Sequence, residues 1–339
     1  MPAARLLVPA LALALAVSQL AVAGEKKTLG KVISLDDRFA DVIDPDAMMT
    51  ILADGFEWTE GPLWMNEDGG YLLFSEIPSN TIRRWSAADG VSIWMQPSGY
   101  TGVADYGREP GSNGLNRDAQ GRLVLCEHGD RRVSVLTPGG GKMTLADAFE
   151  GSRLNSPNDV VVASDGTLYF TDPPYGLPGG MGDEQQELDF CGVYRLSPTG
   201  DLSLLTREFT RPNGIGLSPD GSKLYVAQSD PKKPIVKVFD RDETGDIRNG
   251  RVLHDFADVV GKHPGLPDGL AIDTDGRIFA TGPGGVWIFL PDGTPLGRLD
   301  TGQATSNCAF GGKDGRDLFI TADAYVLRIP TKTKGLLPF

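Results

Sequence analysis

The sequence predicts an all-β fold, a six-bladed β-propeller in one domain, with strands from the two ends of the chain closing the last blade. Three observations carry this. A short unit opening on an oxygen-bearing residue recurs six times, at Glu60, Asn113, Asn158, Asn213, Asp268 and Asn307. Each opening is followed by an apolar run and a glycine turn. No long amphipathic helix, heptad or low-complexity linker interrupts the series.

The copies start at intervals of 39 to 55 residues, the spacing of four-stranded blades. The turn glycines are Gly69, Gly121, Gly166, Gly221, Gly276 and Gly315. Asp275-Gly276, between two apolar runs, reads as a hairpin turn. A second strand follows each turn, as in Tyr71–Phe74, Thr167–Phe170 and Arg277–Ala280, and a third follows in most copies, as in Thr81–Trp85 and Gly192–Leu196. The last copy shows only three strands before the chain ends. Met48–Leu52 is available as its fourth, and pairing it there would cover an open edge. The longest irregular insertion runs from Asp172 to Asp189, a candidate lid, cavity wall or plain surface loop.

The N-terminus reads as a secretory signal peptide over residues 1–23. Arg5 precedes an apolar run that ends in Ala21-Val22-Ala23. The expected product is an exported, periplasmic or secreted propeller over residues 24–339. No later segment approaches the ~20 apolar residues that span a bilayer. The chain has 339 residues and a formal net charge of -13, which argues against nucleic acid and anionic membranes as partners. Its three cysteines, Cys126, Cys191 and Cys308, read as buried thiols, with one bridge open as an alternative. Oligomeric state is left open. The tryptophans Trp58, Trp64, Trp85, Trp94 and Trp287 are expected to pack between blades.

In a propeller, the first strand of every blade lines the central channel. The six opening residues therefore aim at one axis, and each carries a carbonyl or carboxylate oxygen. Asn and Asp before Gly also cap turns, but that reading does not account for Glu60. Two carboxylates converging on a channel repel unless a cation or a shared proton intervenes. An all-oxygen set suits a hard ion, Ca²⁺ before Mg²⁺, with Mn²⁺ a further candidate. Zinc would prefer His or Cys, which none of the six positions carries. Of the three histidines, His254 and His263 are read as loop residues, and His128 follows a second strand. Glu60 and Asp268 would offset the charge of the ion, and Asn158 and Asn213 would complete the protein ligands.

A set of short stretches carries a family resemblance over nearly the whole chain after residue 23. They are Glu60-Gly61-Pro62-Leu63-Trp64, Ser112-Asn113-Gly114-Leu115, Cys126-Glu127-His128-Gly129 and Ser156-Pro157-Asn158-Asp159-Val160. Phe170–Gly176, Pro212-Asn213-Gly214, Pro267-Asp268-Gly269 and Asn307–Gly312 complete it. On these the chain resembles the SMP-30/gluconolactonase or regucalcin-like lactonases, and within them the bacterial gluconolactonase branch. The resemblance implies a six-bladed propeller with a divalent ion in its channel. It places metal ligands at Glu60, Asn158, Asn213 and Asp268, and the general acid/base at Asp268.

The expected activity is calcium-dependent hydrolysis of a sugar-type lactone, a small-molecule substrate. The ion would polarise the carbonyl, and Asp268 would take a proton from the attacking water. Asn113, His128 and Tyr175 are candidates for substrate contact. No G-x-S-x-G elbow is present, against a serine esterase. Three other readings remain: a promiscuous esterase or phosphotriesterase of the same propeller type, a quinoprotein sugar dehydrogenase, and a non-catalytic metal-binding propeller. No basic, aromatic cofactor cradle supports the dehydrogenase. The axial Glu60/Asp268 pair separates the enzyme from the binding module.

Overall fold

The structure, a computed structural model, describes residues 27–338; the expected signal peptide over residues 1–23 lies outside them. Six antiparallel sheets follow one another in sequence around a channel. Their innermost strands are Thr59–Met65, Ser112–Arg117, Val160–Val162, Pro212–Leu217, Leu270–Ile272 and Thr305–Gly311. Among the described residues no helix is long and apolar enough to cross a membrane.

The burial pattern explains the sequence pattern. The second strand of each blade is sandwiched between the neighbouring blades and is buried on both faces, so it reads as a continuous apolar run. Leu123-Val124-Leu125-Cys126 and Leu168-Tyr169-Phe170 are examples, with every residue buried. Outer strands face solvent, and Gly90–Met95 is exposed or half-buried throughout. Between blades three and four, Tyr169, Val193, Ile215, Leu224, Val226 and Phe239 form one apolar cluster. Burying each such side chain contributes ~1.5–3 kcal/mol.

The ring closes as the sequence implies. Thr50–Ala53 pairs antiparallel with Tyr325–Pro330 and becomes the outer strand of blade six. An unforeseen strand, Lys31–Ser34, pairs with Pro295–Asp300 and gives blade five a fifth strand. Those four residues carry no glycine turn or recurring opening, so the repeat did not mark them. One further expectation needs correction, and one holds. His254 lies in the outer strand Ile247–Asp255, packed edge-on against Phe256 with its ring 4.5 Å away, and not in a loop. The three cysteines are all buried and free.

Where a glycine follows the opening residue, as at Gly114 and Gly214, it is not a turn former. Gly114 N donates to Asn158 O at 2.7 Å, and Gly214 N donates to Asp268 O at 3.0 Å, so each joins the next blade's innermost strand. A Cβ at Gly214 would overlap the Asp268 carbonyl. Glycine is required there because neighbouring backbones approach this closely at the axis. The ladder register also breaks at these residues, between Glu60 and Leu63, Ser112 and Leu115, and Pro212 and Ile215. Such bulges re-aim side chains, here toward the channel. The hairpin reading of Asp275-Gly276 holds, with Gly276 N bonded to Asp273 O and φ at 82°.

Candidate active site

Five of the six opening residues, Glu60, Asn113, Asn158, Asn213 and Asp268, line one cavity of about 350 Å³ at one mouth of the channel. The sixth does not. Asn307 turns toward the opposite mouth, where it lines a second cavity. Its Oδ1 accepts from Cys308 N at 2.8 Å, and its Nδ2 donates to Glu60 Oε2 at 3.3 Å. With both ends of its amide engaged, it orients Glu60 from behind.

Glu60 Oε2 also accepts from Gly61 N at 2.9 Å, which leaves Oε1 without a hydrogen bond. Asn213 is fixed similarly. Its Nδ2 donates to Ser229 Oγ at 2.9 Å, and that hydroxyl donates to Pro267 O at 2.6 Å. The Asn213 carbonyl oxygen is thereby the free end of the amide. Asp268 as a residue is half-buried, but its Oδ1 is sealed from solvent and has no partner. The Asn113 Oδ1 is likewise buried and unpaired.

These carboxylates sit at an electrostatic cost. Burial pushes Glu60 up to about 8, and the Asp159 charge adds to the shift. Asp268 is held well above the ordinary carboxylate range, first by burial and then by the Glu60 charge. Asp159 lies at the other end of the channel and is raised to about 7 by burial, although Val160 N and Ile215 N donate to it.

The irregular insertion supplies part of the wall. Asp172 accepts from Asn155 N and Ser156 N, both at 2.8 Å, and Ser156 Oγ accepts from Gly176 N at 2.9 Å. This clamps the turn leading into Asn158 against the Asp172–Gly176 segment. Tyr175 is thereby placed on the cavity wall, and burial raises its phenol above the ordinary range. His128 does not line the cavity. It is fully buried behind Asn113, its Nε2 3.4 Å from Asn113 Nδ2. Trp58, expected between blades, is half-buried and lines the cavity.

Ser229, Leu266 and Glu109 are among the wall residues that were not anticipated. Ser229 and Leu266 come from loops that carry no repeat signal. Glu109 precedes the innermost strand of blade two and places its Oε2 3.3 Å from His128 Nδ1. A charged residue beside a repeat opening was the available signal for Glu109.

The donor set fits a hard divalent cation. Among the described residues, Glu60 and Asp268 each keep an oxygen without a hydrogen bond, the Asn213 oxygen is left free, and Asn158 makes no side-chain hydrogen bond. Two like charges buried together also call for a compensating charge. Among the described residues, no group of three or more His, Cys, Asp or Glu side chains is placed to hold a metal ion, so a cation held here would need amide oxygens.

The fold and site together define a six-bladed propeller with five of its six oxygen-bearing opening residues gathered in one cavity at a channel mouth. Residues 58–324 match the family described as SMP-30/Gluconolactonase/LRE-like region, and the chain belongs to that family. It is 40% identical to a gluconolactonase from Zymomonas mobilis over 315 residues, 91% of this chain and 88% of that protein. It is 30% identical to a regucalcin from Danio rerio, covering 79% of this chain and 83% of that one. A solved gluconolactonase structure from Xanthomonas campestris aligns with a TM-score of 0.77 at 30% identity, over 91% of this chain and 98% of that one.

Proposed function

We propose that the protein is a metal-dependent lactonase that opens a sugar-type lactone in this cavity. Its relatives named as gluconolactonases support the lactonase activity, the one at 40% identity most directly. The observation that carries the mechanism is the Asp268 carboxyl, buried among amide oxygens with Oδ1 unpaired and Glu60 in the same cavity.

Glu60, Asn158, Asn213 and Asp268 hold the cation, Ca²⁺ by donor chemistry, with Mg²⁺ and Mn²⁺ as competitors. When bound, the ion supplies Lewis-acid polarisation of the lactone carbonyl. Asp268 accepts the proton of the attacking water on the carboxylate oxygen that does not hold the cation and returns it to the ring oxygen as the ester bond breaks. Asn113 presents its unpaired Oδ1 to the substrate. Tyr175 closes the wall and excludes bulk water. His128 acts through Asn113 rather than on the substrate itself. The leader-like residues 1–23 support export.

The test is Asp268→Asn, assayed by acid release from glucono-1,5-lactone beside an aryl ester and a phosphotriester. Lactone turnover should fall at least ~10³-fold with the circular dichroism spectrum unchanged. Full activity in the variant overturns the role of Asp268. Wild-type turnover of the phosphotriester alone overturns the lactonase reading.

A further inference from the structure

We propose that Glu109 selects polyhydroxylated lactones, accepting the ring hydroxyls of the substrate on its free carboxylate oxygen. This rests on the lactonase reading and names a residue that sets the specificity of that same site. Glu109 lies in the loop before the innermost strand of blade two, off the ring of bulges, so it stands outside the set of proposed cation ligands. It nevertheless lines the same cavity. Among the described residues no Lys or Arg pairs with it.

Among the described residues, its one ion-pair contact is with His128. That imidazole is fully buried, with Nδ1 3.3 Å from Glu109 Oε2 and Nε2 3.4 Å from Asn113 Nδ2. One buried ring thus spaces two wall residues, Glu109 and Asn113. Each presents an oxygen with no hydrogen bond, Glu109 Oε1 and Asn113 Oδ1. Two acceptors on one wall suit a ligand that brings several hydroxyls.

The rest of the wall matches such a ligand. Half-buried Trp58, with Ile77 and Leu266, offers an apolar surface to the C–H face of a sugar ring. An O–H···carboxylate bond is roughly twice as strong as a neutral one. A simple alkyl lactone would cover Glu109 without pairing it, and the unpaired charge would penalise that substrate. The side chain of Glu109 retains 36% of its exposure, so before substrate arrives it is solvated at little cost.

The experiment compares wild type, Glu109→Gln and Glu109→Ala. It measures kcat/KM on glucono-1,5-lactone and on δ-valerolactone, and calorimetric binding of 1,5-anhydroglucitol, a polyol ring that cannot be hydrolysed. Both variants should lower the glucono-to-valerolactone ratio at least ~10-fold and weaken anhydroglucitol binding by a similar factor. An unchanged ratio, or equal loss on both lactones, overturns the proposal. So does anhydroglucitol binding that is absent in wild type or equal in all three proteins. If wild type opens neither lactone, the lactonase reading fails, while the calorimetric arm still decides on Glu109.

Discussion

Asn307 donates its side-chain amide to Glu60 Oε2 at 3.3 Å across the junction where the sixth blade meets the first. It is the one member of the six-fold set that points away from the cavity, and it acts on a neighbour that points into it. A residue that fixes a ligand without being one typically contributes 10–100-fold to metal affinity. Asn307→Ala should therefore weaken Ca²⁺ binding by about that factor while the fold persists, as read by calorimetric titration.

Ca²⁺ itself should stabilise the protein. An ion at about 100 times its Kd adds ~2.7 kcal/mol to unfolding. Melting should rise on adding Ca²⁺ and fall back with chelator. Glu60→Gln removes one of the two carboxylates and should abolish most of that shift. An equal shift in the variant would mean the ion binds elsewhere.

Gly214 tests the close approach of the innermost strands. Its N donates to Asp268 O at 3.0 Å, and a Cβ would overlap that same oxygen. Gly214→Ala should cost ~2 kcal/mol or more, visible in the urea midpoint. Because the displaced backbone carries Asp268, turnover should fall under conditions where the variant is still folded.

Asp172 makes stability depend on pH. Burial raises its carboxyl from the ordinary 3.8 to about 7, although two backbone amides donate to it. The folded state therefore keeps a proton that the unfolded state has lost. The contribution is fully present below about pH 4 and is lost as the pH rises through about 7, at no more than ~1.4 kcal/mol per pH step. Without divalent ions, unfolding free energy should fall across this window, and Asp172→Asn should flatten the fall by one proton's worth.

The repeat made the ring legible. Every blade needs a backbone approach at the axis and a turn beyond it, so the spacing from Asn213 to Gly221 recurs in Asp268 to Gly276. The residues that tune the ring were not legible. Ser229 and Glu109 reach the cavity from loops, and loops obey no period. The divergence of Asn307 was hidden because its amide matches the other copies; only its bonds to Glu60 and Cys308 reveal the turn away from the cavity. Trp58, expected to pack between blades with the other tryptophans, instead precedes the strand Thr59–Met65 and lines the cavity. Lys31–Ser34 adds to an edge already formed by the repeat, so its pairing left no mark on the pattern.

The closing strand Thr50–Ala53 has a consequence for the timing of synthesis. Thr59 Oγ1 donates to Asp323 O at 3.0 Å, a partner 264 residues further along the chain. A ribosome makes Glu60 early, but the blade beside it is completed only when Tyr325–Pro330 emerges. Until then the nascent ring is a curved stack with two bare edges. Asp268 and Asn307 are translated late, so the cavity is assembled only near the end of the chain. A chain cut short of Asp268 lacks part of the cavity wall, and one cut short of Tyr325–Pro330 leaves the ring open.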